Sequence, residues 1–196
     1  MSDVVVSVVE STTNVTVTEP TVSVSITETP TVISTSVAGL QGNSNLYCGS
    51  FEDSTNQASA GTASANLITI NTTTNSNGVS LVDGSKLTFA HAGQYLVNLL
   101  GQFAFTGGAS NYNITVWRSL NGTAEPNSAS TFTTTSAQNA QTLANIEDIV
   151  TVNAGDYYQF YWWSSAASMS LLATGTATNP ARPASPSVKL NCFNVA

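Results

Sequence analysis

The chain of 196 residues has only four Lys and Arg, one His and two Cys. Each scarcity removes a class of function. The four cations, Lys86, Arg118, Arg182 and Lys189, form no cluster, and a net charge of -7 repels a phosphate backbone. Nucleic acid is therefore excluded as a partner. His91 lies in the turn "FAHAGQY", where its small neighbours mark it as a turn residue and not a catalytic base, so a Ser-His-Asp arrangement has nothing to build on. Two cysteines without matching histidines make no zinc site. No apolar run approaches the roughly 20 residues needed to cross a bilayer, and no membrane partner is expected. The opening "MSDVVVSVVEST" lacks the basic and apolar regions and the cleavage site of a secretory signal, so assembly in a cytosol is expected.

The carboxylates add little chemistry. Glu52-Asp53 and Glu147-Asp148 are adjacent pairs, and neighbours on a strand point to opposite faces, so neither pair suits glycoside hydrolysis. Asp156 in "NAGD" has too few local oxygens for calcium. No catalysis, metal or cofactor is expected. Cys48 and Cys192 can be read as a bond or as two half-buried thiols, and a reducing compartment favours the thiols.

What the chain has in abundance is Ser and Thr, more than a quarter of all residues, with an apolar fraction of 41% close to that of a globular protein. Much of the Thr lies near the start, where "STTNVTVTE", "PTVSVSITE" and "TPTVISTSV" form a nine-residue repeat marked by Glu10, Glu19 and Glu28. Apolar residues alternate within the units, as Val15 and Val17, then Val22, Val24 and Ile26. Period two means strand. Pro20 and Pro30 stand at the junctions and bend the chain there. Ordering about 38 residues costs on the order of 40–70 kcal/mol, which single rows of Val and Ile cannot offset. Residues 1–42 therefore read as an extended N-terminal arm, templated by another surface through strand addition.

Residues 43–196 read as a single domain. The expected strands are 45–51, 66–70, 79–82, 86–90, 94–105, 111–120, 130–135, 142–152, 157–164, 168–173 and 186–195, with turn chemistry in nearly all the gaps. Many short strands without helical periodicity mean a β-sandwich, and a jelly roll is expected. In "GQYLVNLLGQFAF", Tyr95, Val97, Leu99, Phe103 and Phe105 share the core face. In "NYNITVWRSL", Tyr112, Ile114, Val116 and Leu120 point inward and Trp117 outward. "GDYYQFYWWSS" places Tyr158, Phe160 and Trp162 on one face and Tyr157, Tyr161 and Trp163 on the other. One face can pack in the sandwich. The other needs a cover, either a subunit interface or a loop or arm of the same chain, and the interface is the expectation. Parity alone leaves open which set lies at that interface.

The order "AGQYLVNLLGQFAF", "ITVWRSLNGTAEPNS", "VNAGDYYQFYWWSS" and "NPARPASPSVKLNCFNV" resembles the trimeric jelly-roll superfamily of tumour necrosis factor and the complement globular head, in the versions carried by tailed-bacteriophage virion proteins. The resemblance covers roughly residues 45–196. It implies an all-β jelly roll, a homotrimer, and first and last strands that run side by side, which brings Cys48 and Cys192 close. It further implies a structural virion protein, assembled in the host cytoplasm and placed on the capsid surface. In this reading the trimeric head decorates the shell, and the arm binds the major capsid protein or another virion protein. The alternative is a receptor-binding tip or adaptor of a tail fibre. No coiled-coil or collagen-like stalk occurs in the sequence to support a tip.

Overall fold

The computed structural model describes residues 46–135, 137 and 139–195. The expected arm, with Val15, Val17, Val22, Val24 and Ile26, and the expected boundary at residue 42 lie outside the described residues.

Among the described residues there is no helix. Sixteen strands follow in chain order: β1 Cys48–Asp53, β2 Gln57–Ala58, β3 Asn66–Leu67, β4 Thr72–Asn77, β5 Val79–Val82, β6 Lys86–Phe89, β7 Gly93–Phe105 and β8 Asn113–Leu120, then β9 Thr123–Ala124, β10 Ser130–Thr133, β11 Gln141–Val152, β12 Tyr157–Ser164, β13 Met169–Leu171, β14 Ala177–Thr178, β15 Ala181–Arg182 and β16 Val188–Asn194. In the first sheet the order is β2-β13-β7-β16-β1-β4, with β11 along the other side of β7. The second sheet runs β10-β8-β12-β6-β5, with β3 paired to β12 and β9 to β8.

The pairings are nested. β8 pairs with β10, β7 with β11, β6 with β12 and β1 with β16, all antiparallel, each pair enclosing the one before it in sequence. A ribbon of antiparallel pairs wound so that successive pairs fall in alternate sheets is a jelly roll. The fold is thus the expected all-β jelly-roll sandwich.

Side-chain parity builds the core between the sheets. On β7 the residues Tyr95, Val97, Leu99, Phe103 and Phe105 are all buried, and on β8 so are Ile114 and Val116, while Tyr112 and Leu120 pack at the edge of the same cluster. Phe103 meets Trp162 across the sandwich at 5.2 Å between ring centroids, in the edge-to-face geometry aromatic pairs favour. Phe51 lies over Gly49, so a Cβ at position 49 would sit 2.6 Å from Phe51 Cζ. Only glycine lets that ring pack flat on its own strand.

Five strands are absent from the expectations: the two-residue β2, β9, β14 and β15, too short to carry an alternation, and the six-residue β4. β4, "TTTNSN", is exposed at all six positions, so it has no apolar face to create an alternating signal, and its Asn and Ser read as a turn. It forms the edge of the first sheet, held to β1 by backbone pairing and by a hydrogen bond from Asn75 Nδ2 to Cys48 Sγ at 3.8 Å.

Candidate functional site

β12 is an interior strand of the second sheet, with β8 on one side and β6 and β3 on the other. Its Tyr158, Phe160 and Trp162 are 1%, 4% and 0% exposed. They are core residues of a single chain, which corrects the expectation that they could lie at a subunit interface. The outward set is half-buried, and the same chain supplies most of its cover. Lys86 Nζ lies 5.5 Å from the Tyr157 ring centroid. Trp117 stacks on Tyr161 at 5.9 Å and 16°. Trp163 donates from Nε1 to the Thr62 carbonyl at 2.6 Å, so the segment before β3 shields it. Between the rings, Gln159 donates to Ser85 Oγ at 3.0 Å. The loop-cover alternative therefore accounts for much of this face.

The outer face of the first sheet is different. Phe193 on β16 and Ile149 on β11 are both register partners of Leu96 on β7, so the three form one row across the sheet. Phe193 is 41% and Ile149 57% exposed, and Leu143 further along β11 is 58% exposed. Leu100 shares the outward parity of Leu96. The row borders a shallow hollow of about 460 Å³ whose rim includes Cys48, Asn75, Asn98 and Glu147. A polar band runs beside it: Asn98 donates to Asn145 Oδ1 at 2.8 Å and to Glu147 at 3.3 Å, and Ser50 to Asn191 at 2.8 Å. The signal for this row was present in "YLVNLLGQ" and "EDIVTV", where apolar residues are adjacent and must fall on both faces. Leu96 and Leu100 share the outer face of β7 with Gln94, Asn98 and Gln102.

The acidic pairs split as strand geometry requires. Glu147 points outward to Asn98, whereas Asp148 accepts from Arg118 Nη1 at 2.8 Å. Arg118 also pairs with Glu125 and lies 5.7 Å from the Tyr158 ring centroid. Burial by itself would lower its pKa, but the two carboxylates outweigh that and raise it. Because Arg118 is on β8 and Asp148 on β11, this contact ties one sheet to the other. Asp53 is 2% exposed and accepts from the Thr55 amide at 2.7 Å and Asn71 Nδ2 at 3.3 Å. Asp156 is held below the ordinary carboxylate range by hydrogen bonds from the Asn121 side chain and the Asn153 amide. It organises two turns. Among the described residues, no group of three or more His, Cys, Asp or Glu side chains is placed to hold a metal ion.

His91 stacks on Tyr47 at 3.9 Å and 13°, and its carbonyl accepts from Tyr95 Oη at 3.0 Å. These contacts suit a turn residue. The cysteines lie on the neighbouring strands β1 and β16, as expected, but Gly49 and not Cys48 is the register partner of Cys192. That one-residue offset turns the side chains to opposite faces of the sheet, Cys192 into the core and Cys48 outward. Both thiols are free. Burial pushes the Cys192 thiol up to about 12, with a smaller contribution from Cys48.

No protein-family model matches the chain, and no curated protein matches it. Among solved structures it is similar to the globular domain of zebrafish complement 1qA protein, at 10% identity and a TM-score of 0.46, covering 78% of this chain and 97% of that one. The jelly-roll assignment rests on the strand order of the chain itself.

Proposed function

We propose that the chain is a structural virion protein: a homotrimeric capsid decoration protein whose jelly-roll head carries an N-terminal arm that binds the shell by strand addition. The observation that carries the self-assembling part is the row Phe193–Leu96–Ile149, a contiguous apolar strip on the outer face of the first sheet. Water-exposed strips of this kind on a soluble head mark surfaces that meet another protein. In this proposal the heads meet through this face and not through β12, whose aromatics are either core or largely covered by their own chain. The arm contributes alternating Val and Ile without a core of its own, and three arms on one trimer add avidity.

Deleting residues 1–38 tests the reading. The truncated heads remain trimeric by light scattering and lose affinity for arm-free capsids in a co-sedimentation assay. Undiminished decoration by the truncated protein refutes the lacing role. Binding of the intact protein to host cells but never to capsids replaces it with the fibre-tip reading.

A further inference from the structure

A second surface feature lies on the same sheet, beyond the β16 side of the apolar row. Glu52 on β1 and Lys189 on β16 are cross-strand register partners, both pointing outward. Opposite charges placed this way ordinarily pair. Here, among the described residues, neither the carboxylate nor the ammonium has a hydrogen-bond or ion-pair partner. Both line a groove of about 500 Å³ together with Ser54, Asn56, Thr174 and Ser185. That volume is within the range of small-molecule sites, roughly 300–1,000 Å³.

The groove walls are held without using those charges. Thr174 and Ser185 exchange both backbone hydrogen bonds, at 2.9 and 2.8 Å, closing the excursion between β13 and β16. Asn56 Oδ1 accepts from the Ala173 amide at 2.8 Å, which fastens that excursion to the end of β1 and leaves the Asn56 amide hydrogens available. Gln102 donates to the Leu172 carbonyl at 2.8 Å, and Ser187 donates twice to the Asp53 carbonyl. The walls are thus set in place before any ligand arrives, which lowers the ordering cost of binding.

We propose that this groove binds a neutral oligosaccharide. The lining places one carboxylate acceptor beside an ammonium donor, a carboxamide donor and hydroxyls that do both. A vicinal diol, in which each hydroxyl donates and accepts, complements that set. The charges at the groove cancel, so it offers no net attraction to an anion, and the overall charge of -7 disfavours one further. Glu52 stands four residues along β1 from Cys48, about 13 Å from the apolar row. On the β7 side Lys189 adjoins Leu100, its register partner; the proposal does not depend on the decoration reading.

The test is an amide chemical-shift titration of the full chain with maltotriose and triacetylchitotriose, with glycine betaine as a zwitterionic comparison. The expected result is saturable shifts at Asn56, Thr174, Gly175, Ser185 and Lys189 with one of the sugars, at a dissociation constant of about 1 mM. Glu52→Gln and Lys189→Met should each weaken binding at least fivefold, and unchanged melting curves would show that the fold is kept. Absence of saturable shifts with both sugars, equal binding by the two variants, or saturation by betaine instead would each overturn the proposal.

Discussion

Replacing Ile149 by Asp tests the proposed contact between heads. Ile149 and Phe193 are 57% and 41% exposed in one head and flank Leu96 in a single row. Fully burying such a side chain is worth about 1.5–3 kcal/mol, so covering the exposed parts of these two contributes roughly that amount per subunit. Asp at 149 forfeits more than half of it and puts an unpaired carboxylate into the covered surface, at a further cost of several kcal/mol. A total on the order of 4 kcal/mol per interface corresponds to about a thousandfold in dissociation constant. Sedimentation velocity at micromolar concentration should show a trimer for the unaltered chain and a monomer for Ile149→Asp, with the β-sheet circular dichroism signal retained. Tyr161→Ser, on the opposite face, should stay trimeric. If Ile149→Asp sediments as a trimer, or if Tyr161→Ser is the variant that dissociates, the assignment of the face is wrong.

Gly49→Ala should destabilise the head by about 1–3 kcal/mol, because the Phe51 ring it would strike is 1% exposed and has no free volume to enter. A fall of about 1 M in the urea midpoint would record a loss near 2 kcal/mol, and adding Phe51→Leu should recover part of it. A double-mutant cycle on Arg118 and Asp148 should give a coupling of about 0.5–1 kcal/mol that fades in high salt, since Asp148 is half exposed; zero coupling at low salt would deny the tie between sheets. In the native protein a thiol reagent should modify Cys48 and spare Cys192 until unfolding, and mild oxidation should yield no internal disulfide. Folding holds the Cys192 proton more tightly than the unfolded chain does. Stability is therefore unaffected by this group below about pH 9 and is lost as the pH rises from there to about 12, by on the order of 4 kcal/mol. Alkaline denaturation of Cys192→Ala should show a shallower slope over that window. Some slope should remain because burial also pushes up the hydroxyls of Tyr95 and Tyr158.

Alternation was enough to place the long strands and their inward residues. Along β7 the sequence alone names Tyr95, Val97, Leu99, Phe103 and Phe105 as core, because period two divides a strand into two faces and the larger apolar set must leave water. The same rule by itself splits Glu147 from Asp148. It does not say which face of β12 is inside, since both carry aromatics; the first sheet, packed beneath Tyr158, Phe160 and Trp162, decides that. Nor can it find β4, whose pairing comes from backbone groups that every residue shares. Strand adjacency is foreseeable for Cys48 and Cys192, yet their facing depends on a register offset of one residue, which is set by how the whole ribbon winds. The polar groove is the clearest case. Glu52, Asn56, Thr174, Ser185 and Lys189 form no motif in the sequence, and the closure of β1 against β16 brings them to one wall. Local chemistry sets what each strand buries, and only the winding of the jelly roll decides which distant side chains share a surface.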